Sequence, residues 1–320
     1  KDELAQMARQ LDKSLDEGGR GLSTGLIYAP AMCATPEEIV ALAKVAARHD
    51  GIYTSHMRSE SSKLLDAIRE TVAIGREAGI RVEISHLKTS GRQNWGLLDD
   101  ALAAIHRARQ NGVEVAADRY PYTASSTDLD VVFPPWAQEG GREAILKRLN
   151  SPPERARLRD DLRRSRPEDA WGTVIVGSTR HPDNARFRGL PLTEAARQLG
   201  LEPADTVLHF VETDQVTTGA FFAGMCEENM MRILAEPYVM LGTDASLRSL
   251  TGPLSQDYPH PRAYGSFPRF LRLALDGKTV PLGQAVRKMT SLPAGHFRLK
   301  NRGVLAKGMQ ADVVVFDPAR

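Results

Sequence analysis

The chain has 320 residues, 42% hydrophobic and 26% charged, a globular composition with room for one large domain or two of medium size. Forty-two basic residues against forty acidic ones leave a formal charge of +2, which gives no electrostatic reason for a nucleic-acid or acidic-membrane partner. Two cysteines make no disulfide framework, no apolar run reaches the roughly 18 residues of a membrane helix, and no signal peptide opens the chain, so a cytoplasmic setting is expected.

The chain begins in an amphipathic helical pattern (Leu4, Met7, Ala8, Leu11, Leu15). Gly21 to Ala29 reads as a strand. Thr35-Pro36-Glu37-Glu38 then opens a helix, with Thr35 as N-cap and Glu38 closing a capping box. Ile39, Leu42, Ala43 and Ala46 give that helix one apolar face. A strand ending at His56 is followed by a helix bearing Leu64, Leu65, Ile68 and Val72 that stops at Gly79. A strand ending at His86 is followed by a helix bearing Leu98, Leu102 and Ile105 that stops at Asn111-Gly112. Val113 to Tyr120 reads as the next strand. Repeating β–α units of this kind predict a parallel sheet with helical crossovers.

The pattern breaks from about residue 128 to 218, where Pro134-Pro135, Gly140-Gly141, Pro152-Pro153 and charged helices crowd together. This stretch reads as an insertion over the mouth of a barrel, with an inner strand Thr173 to Gly177. The basic residues from Arg142 to Arg166 are interleaved with acids and read as a solvated helical face. The β–α pattern returns with the strand ending at Asp244, then a helix from Gly283 to Thr290 and a last strand at residues 312–316. Strands ending near Tyr28, His56, His86, Tyr120 and Asp244 number five, short of the eight that close a (β/α) barrel. The expected class is therefore α/β, a partial TIM-type barrel over residues 1–300, with the start of a small β domain over 301–320. Both ends read as cut from something longer, with the missing strands expected before Lys1.

His56 and His86 end corresponding strands of adjacent units, and Asp244 ends another. In a parallel barrel such ends converge on one face. Two imidazoles suit a borderline-soft ion such as zinc, and a carboxylate beside them can bind metal and carry protons. His49, His106 and His181 read as surface residues and His209 as a core histidine. Cys33 and Cys226 read as structural thiols.

Five ordered segments carry a resemblance. Thr54-Ser55-His56-Met57-Arg58, Ile84-Ser85-His86-Leu87-Lys88, Tyr120-Pro121-Tyr122-Thr123-Ala124, Gly242-Thr243-Asp244 and His260-Pro261-Arg262 resemble the N-acyl-D-amino-acid deacylases of the amidohydrolase superfamily. The run Gly303 to Asp312 looks like that superfamily's closing β motif. The resemblance implies zinc-dependent hydrolysis of the amide of a small N-acyl-D-amino acid. It implies that His56 and His86 are zinc ligands, and that Asp244 is a metal-binding general base and acid. Arg262 would bind the substrate carboxylate, Tyr120 and Ser126 its carboxylate and amide region, and Lys88 and Tyr28 would be further substrate-site residues. The family's His-x-His pair on the first strand and its early metal-binding cysteine have no counterpart here. The alternatives are an amidohydrolase of the dihydroorotase or hydantoinase kind, acting on cyclic amides, and a non-catalytic binding protein on the same scaffold.

Overall fold

A computed structural model describes residues 2–166 and 168–319. Helix α1 (Asp2–Asp16) leads into strand β1 (Gly21–Gly25). Helix α2 (Pro36–Arg48) begins as its sequence dictates: the Thr35 hydroxyl accepts a hydrogen bond from the Glu38 N–H at 3.3 Å, and Pro36 takes the first helical position. Ile39, Leu42, Ala43 and Ala46 are buried along its inner face. Then follow β2 (Ile52–His56), α3 (Leu64–Ala78), β3 (Arg81–Ile84), α4 (Leu98–Gln110) and β4 (Val115–Arg119). Gly79 ends α3 in the left-handed conformation, φ 64°.

The chain next leaves this pattern. Strand β5 (Ala124–Asp128) is followed by α5 (Pro135–Gln138), α6 (Gly141–Leu149), α7 (Pro152–Ser165), β6 (Val174–Val176), α8 (Leu192–Leu199), α9 (Pro203–Thr213) and β7 (Gly219–Ala223). Strands β5, β7 and β6 form an antiparallel sheet in that spatial order. A separate apolar cluster between Leu129 and Ala220 packs around it. The β–α pattern resumes with α10 (Glu227–Ala235), β8 (Val239–Leu241), α11 (Arg262–Leu275), α12 (Leu282–Met289) and α13 (Ser291–His296).

Strands β1, β2, β3, β4 and β8 form one parallel sheet in that order. These are the five strands that the sequence counts. One face carries Tyr53, Val82, Ile84, Val115, Ala117 and Val239, which join the inner faces of α2, α3 and α4 in the core. Burying a side chain of this size stabilises the fold by roughly 1.5–3 kcal/mol. The opposite face carries Thr54, His56, Arg81, Glu83 and Asp118, a polar set that the site draws upon.

Three expectations need correction. The strand expected from Gly21 to Ala29 stops at Gly25, because the Tyr28 N–H bonds back to the Gly25 carbonyl at 3.1 Å and turns the chain. The run at 312–316 forms no strand: Val313, Val314 and Val315 lie exposed, and no described strand pairs with them. Cys33 is exposed in a short 3₁₀ turn rather than packed as a structural thiol, whereas the Cys226 sulfur caps α10 by accepting from the Asn229 N–H at 3.4 Å. No described helix is long and apolar enough to cross a membrane.

Candidate metal centre and its cleft

His56 is the last residue of β2. The β2–β3 register sets Ser55 beside Ile84, and the Ser85 N–H continues the ladder to the Ser55 carbonyl at 3.0 Å. That register brings His86, just past β3, beside His56, with ring centroids 4.4 Å apart. The turn after β2 supplies a third group. Its Glu60 carbonyl accepts from the Ser90 N–H at 2.8 Å, which ties the turns after β2 and β3 together. The Glu60 Oε1 lies 2.7 Å from His86 Nδ1 and 4.0 Å from His56 Nε2, and it forms an ion pair with Lys88. One ligand atom from each of His56, Glu60 and His86 falls within 4.8 Å of the others.

The electrostatics suit a cation. Burial pulls the His56 pKa down to about 4, so its imidazole is neutral at pH 7. Its Nε2 is buried and makes no hydrogen bond. Burial alone would raise the pKa of Glu60, but the charges of Lys88 and His86 outweigh it and hold that carboxyl well below its ordinary range. A neutral imidazole with an uncommitted nitrogen, a second imidazole and an ionised carboxylate form a donor set that fits zinc. With Nδ1 of His86 facing Glu60, its Nε2 is the ring nitrogen left for a metal.

A cleft of about 370 Å³ adjoins this cluster, lined among others by Ser126, Ser178, Asp244, Tyr258, His260 and Arg262. The antiparallel sheet forms one wall, and the loop after β8 with the start of α11 forms the other. Arg262, the first residue of α11, donates to Asp244 Oδ2 at 2.5 Å and to the Ser126 carbonyl at 3.1 Å. Its guanidinium carbon lies 4.7 Å from the Tyr120 ring centroid. His260 accepts the Arg262 N–H on Nδ1 at 3.0 Å, and burial followed by the Arg262 charge lowers its pKa to about 4. Ser178 spans the two walls: its hydroxyl accepts from the Tyr258 N–H at 3.0 Å and donates to the Tyr258 carbonyl at 3.2 Å.

Seven of the eight site residues named from sequence thus fall into two adjoining groups, and the eighth touches both. His56, His86 and Lys88 gather at the metal cluster, and Asp244, Arg262, Ser126 and Tyr120 gather at the cleft. Tyr28 links them, its ring 4.9 Å from that of His56 and its hydroxyl 3.2 Å from Thr127 Oγ1. Asp244 is not a member of the metal cluster here; its carboxylate is turned to Arg262. Lys88 is buried against Glu60 and His86, with its ammonium 5.9 Å from the Tyr120 ring centroid. Sequence reasoning missed Glu60. Its one signal is that it is the nearest carboxylate after His56, in a short polar turn at a strand end.

A family model described as "Amidohydrolase family" matches residues 228–320. The N-acyl-D-glutamate deacylase of Alcaligenes xylosoxydans xylosoxydans is 36% identical over 316 residues, which cover 98% of this chain and 55% of that protein. The D-aminoacylase of the same organism is 34% identical over 319 residues, 99% of this chain and 56% of that protein. Among solved structures, the N-acyl-D-glutamate deacylase of Bordetella bronchiseptica, complexed with zinc and a phosphonate mimic of the tetrahedral intermediate, superposes with a TM-score of 0.79 at 34% identity. That match covers 99% of this chain and 57% of the other. The chain spans a little over half the length of the relatives it matches.

Proposed function

We propose that this chain, which belongs to the amidohydrolases and is homologous over nearly its whole length to the N-acyl-D-amino-acid deacylases, carries the zinc and substrate sites of an enzyme that hydrolyses N-acyl-D-amino acids to a D-amino acid and a carboxylate. The observation that carries this reading is the buried, uncommitted Nε2 of His56, set beside His86 and Glu60 at the carboxyl ends of parallel strands. In this reading His56 and His86 hold the ion, and Glu60 fixes the ring of His86. Zinc, when bound, supplies Lewis acidity to the amide carbonyl and to a water molecule.

The protein's own groups supply the remainder. Arg262 meets the substrate α-carboxylate with its guanidinium fork, which rests over the Tyr120 ring. Asp244 takes a proton from the attacking water and returns it to the leaving nitrogen. Tyr28 and Ser126, with Lys88 buried against Glu60 and His86, keep the acyl amide in register with the histidines. The antiparallel insertion forms a wall that screens the amide from bulk water.

The test compares an N-acetyl-D-amino acid with its carboxamide, in the parent and in Arg262→Ala, using the full-length protein. A charge-assisted hydrogen bond contributes roughly 1.5–3 kcal/mol. Arg262→Ala is therefore expected to lower kcat/KM for the acid by at least ~10-fold and to change the amide little. Equal losses on both substrates would remove Arg262 from carboxylate recognition. A parent with no zinc and no hydrolysis of any N-acyl-D-amino acid would overturn the reading itself.

A further inference from the structure

We propose that Asp118 is a positioning residue that locks the backbone of His86, and with it the approach of the chain to Asp244, into the geometry of the metal centre. The proposal rests on the zinc-hydrolase reading above. Asp118 lies on β4, the strand between β3 and β8. Its side-chain Oδ1 accepts from the His86 N–H at 2.7 Å, and its main-chain carbonyl accepts from the Leu87 N–H at 2.9 Å. One residue therefore satisfies two consecutive amides of the segment that carries the second imidazole.

That segment needs holding. His86 has φ 42°, in the left-handed region that residues with a Cβ seldom occupy. Such a conformation persists where surrounding contacts over-determine it. Two amide hydrogens directed at Asp118 are contacts of that kind, and they fix the direction in which the imidazole leaves the backbone.

The same carboxylate meets the other side of the site. At Gly242, just past β8, a Cβ would lie 2.8 Å from both the Cγ and the Oδ2 of Asp118. Glycine there lets the end of β8 close onto the carboxylate. Two residues further on, Asp244 is also left-handed, with φ 47°. Asp118 is thus held between the peptide of His86 and Gly242, two residues before Asp244. Each of these contacts is to main chain, so the role is positioning and not catalysis.

The experiment compares Asp118→Ala and Asp118→Asn in the full-length protein. Zinc affinity is read by competition with a chelator, and amide hydrogen exchange is read over residues 83–88. Asparagine keeps an oxygen where Oδ1 sits, and alanine does not. Asp118→Ala is expected to lower zinc affinity by ~10–100-fold, the usual effect of losing an orienting partner of a metal ligand. It should also speed exchange at the His86 amide. Asp118→Asn should stay within a few-fold of the parent in affinity and keep that amide protected. Should Asp118→Ala fail to fold, Gly242→Ala, which crowds the same carboxylate, carries the zinc comparison.

Parent-like zinc affinity in Asp118→Ala would overturn the proposal. So would an equal loss in both variants, because that would assign the effect to the charge of Asp118 and not to its bond with His86. A parent that binds no zinc would sink the zinc-hydrolase reading, and the exchange rates at His86 would still decide whether Asp118 holds that backbone.

Discussion

The dependence of the site on single groups is sharpest at Glu60. Lys88 is buried beside it, and removing one partner of a buried ion pair costs about 3–5 kcal/mol because the other charge is left uncompensated. Glu60→Gln is therefore expected to lower the unfolding midpoint and to weaken zinc binding. A second change, Lys88→Met, should restore most of the stability but not the zinc affinity. Urea unfolding and metal titration of the single and double variants check this, and full recovery of both quantities would show that Glu60 only neutralises Lys88. The histidines set a pH dependence. His56 and His260 would take up a proton near pH 6.5 in the unfolded chain, but burial holds both off until about pH 4 in the fold. Between those values the unfolded chain binds more protons, so stability rises with pH and is lost as the pH falls from about 6.5 to 4. Urea midpoints of the metal-free protein across that range should show this slope, and His260→Asn should flatten part of it. His56 and His86 were legible in the sequence because each follows the same strand signal one repeat apart. The facing of Asp244 toward Arg262 was not, because residues 244 and 262 come together only through the loop between β8 and α11.

Among the elements, α3 shows how closely helix and sheet are fitted. A Cβ on Gly75 would sit 2.3 Å from a methyl of Val82, which is fully buried and β-branched and so has little freedom to yield. Alanine would improve helix propensity by about 1 kcal/mol, but overpacking a core contact costs typically 1–3 kcal/mol. Gly75→Ala should therefore destabilise, and adding Val82→Ala should recover part of the loss. Thermal melts of the two variants decide, and a stabilised single variant would contradict the packing. The β–α repeats were readable because apolar spacing, caps and turn residues agreed with one another. The insertion was readable as a break, and its strand β6 as a strand. Its partners β5 and β7 were not expected: Ala-Ser-Ser-Thr-Asp and Gly-Ala-Phe-Phe-Ala carry little strand signal by themselves, and they pair with each other across nearly a hundred residues. The run at 312–316 errs in the other direction. Its sequence is strongly strand-like, but a strand exists only where a neighbour accepts its hydrogen bonds.

The molecule as a whole contains distinct apolar clusters. One lies within the insertion, from Leu129 to Ala220, and others lie between the parallel sheet and its helices. Phe210 is fully buried in the first, with its ring centroid 5.4 Å from that of Phe187. Phe→Ala in such a core costs about 3–5 kcal/mol. Phe210→Ala is expected to raise amide exchange across residues 124–223 while leaving β2, β3 and β4 protected and the histidine pair able to take up zinc. Exchange that rises equally in both regions would mean that the clusters unfold together as one cooperative unit.

The paired hydrogen bonds of Ser178 with Tyr258 bear on how the protein would wear out. The cleft has one side in the insertion and the other in the loop that follows Asp244, and the Ser178 hydroxyl joins the two beside the bond from Arg262 to the Ser126 carbonyl. The insertion carries its own apolar cluster, so heat that loosens that cluster would slacken this junction even with the parallel sheet intact. The cleft would then open before the helical signal is lost, and the temperature ceiling of the site would belong to the insertion and not to the parallel sheet. Heat tolerance would accordingly be improved by reinforcing residues around Phe210 and Ser178, far along the chain from His56 and His86.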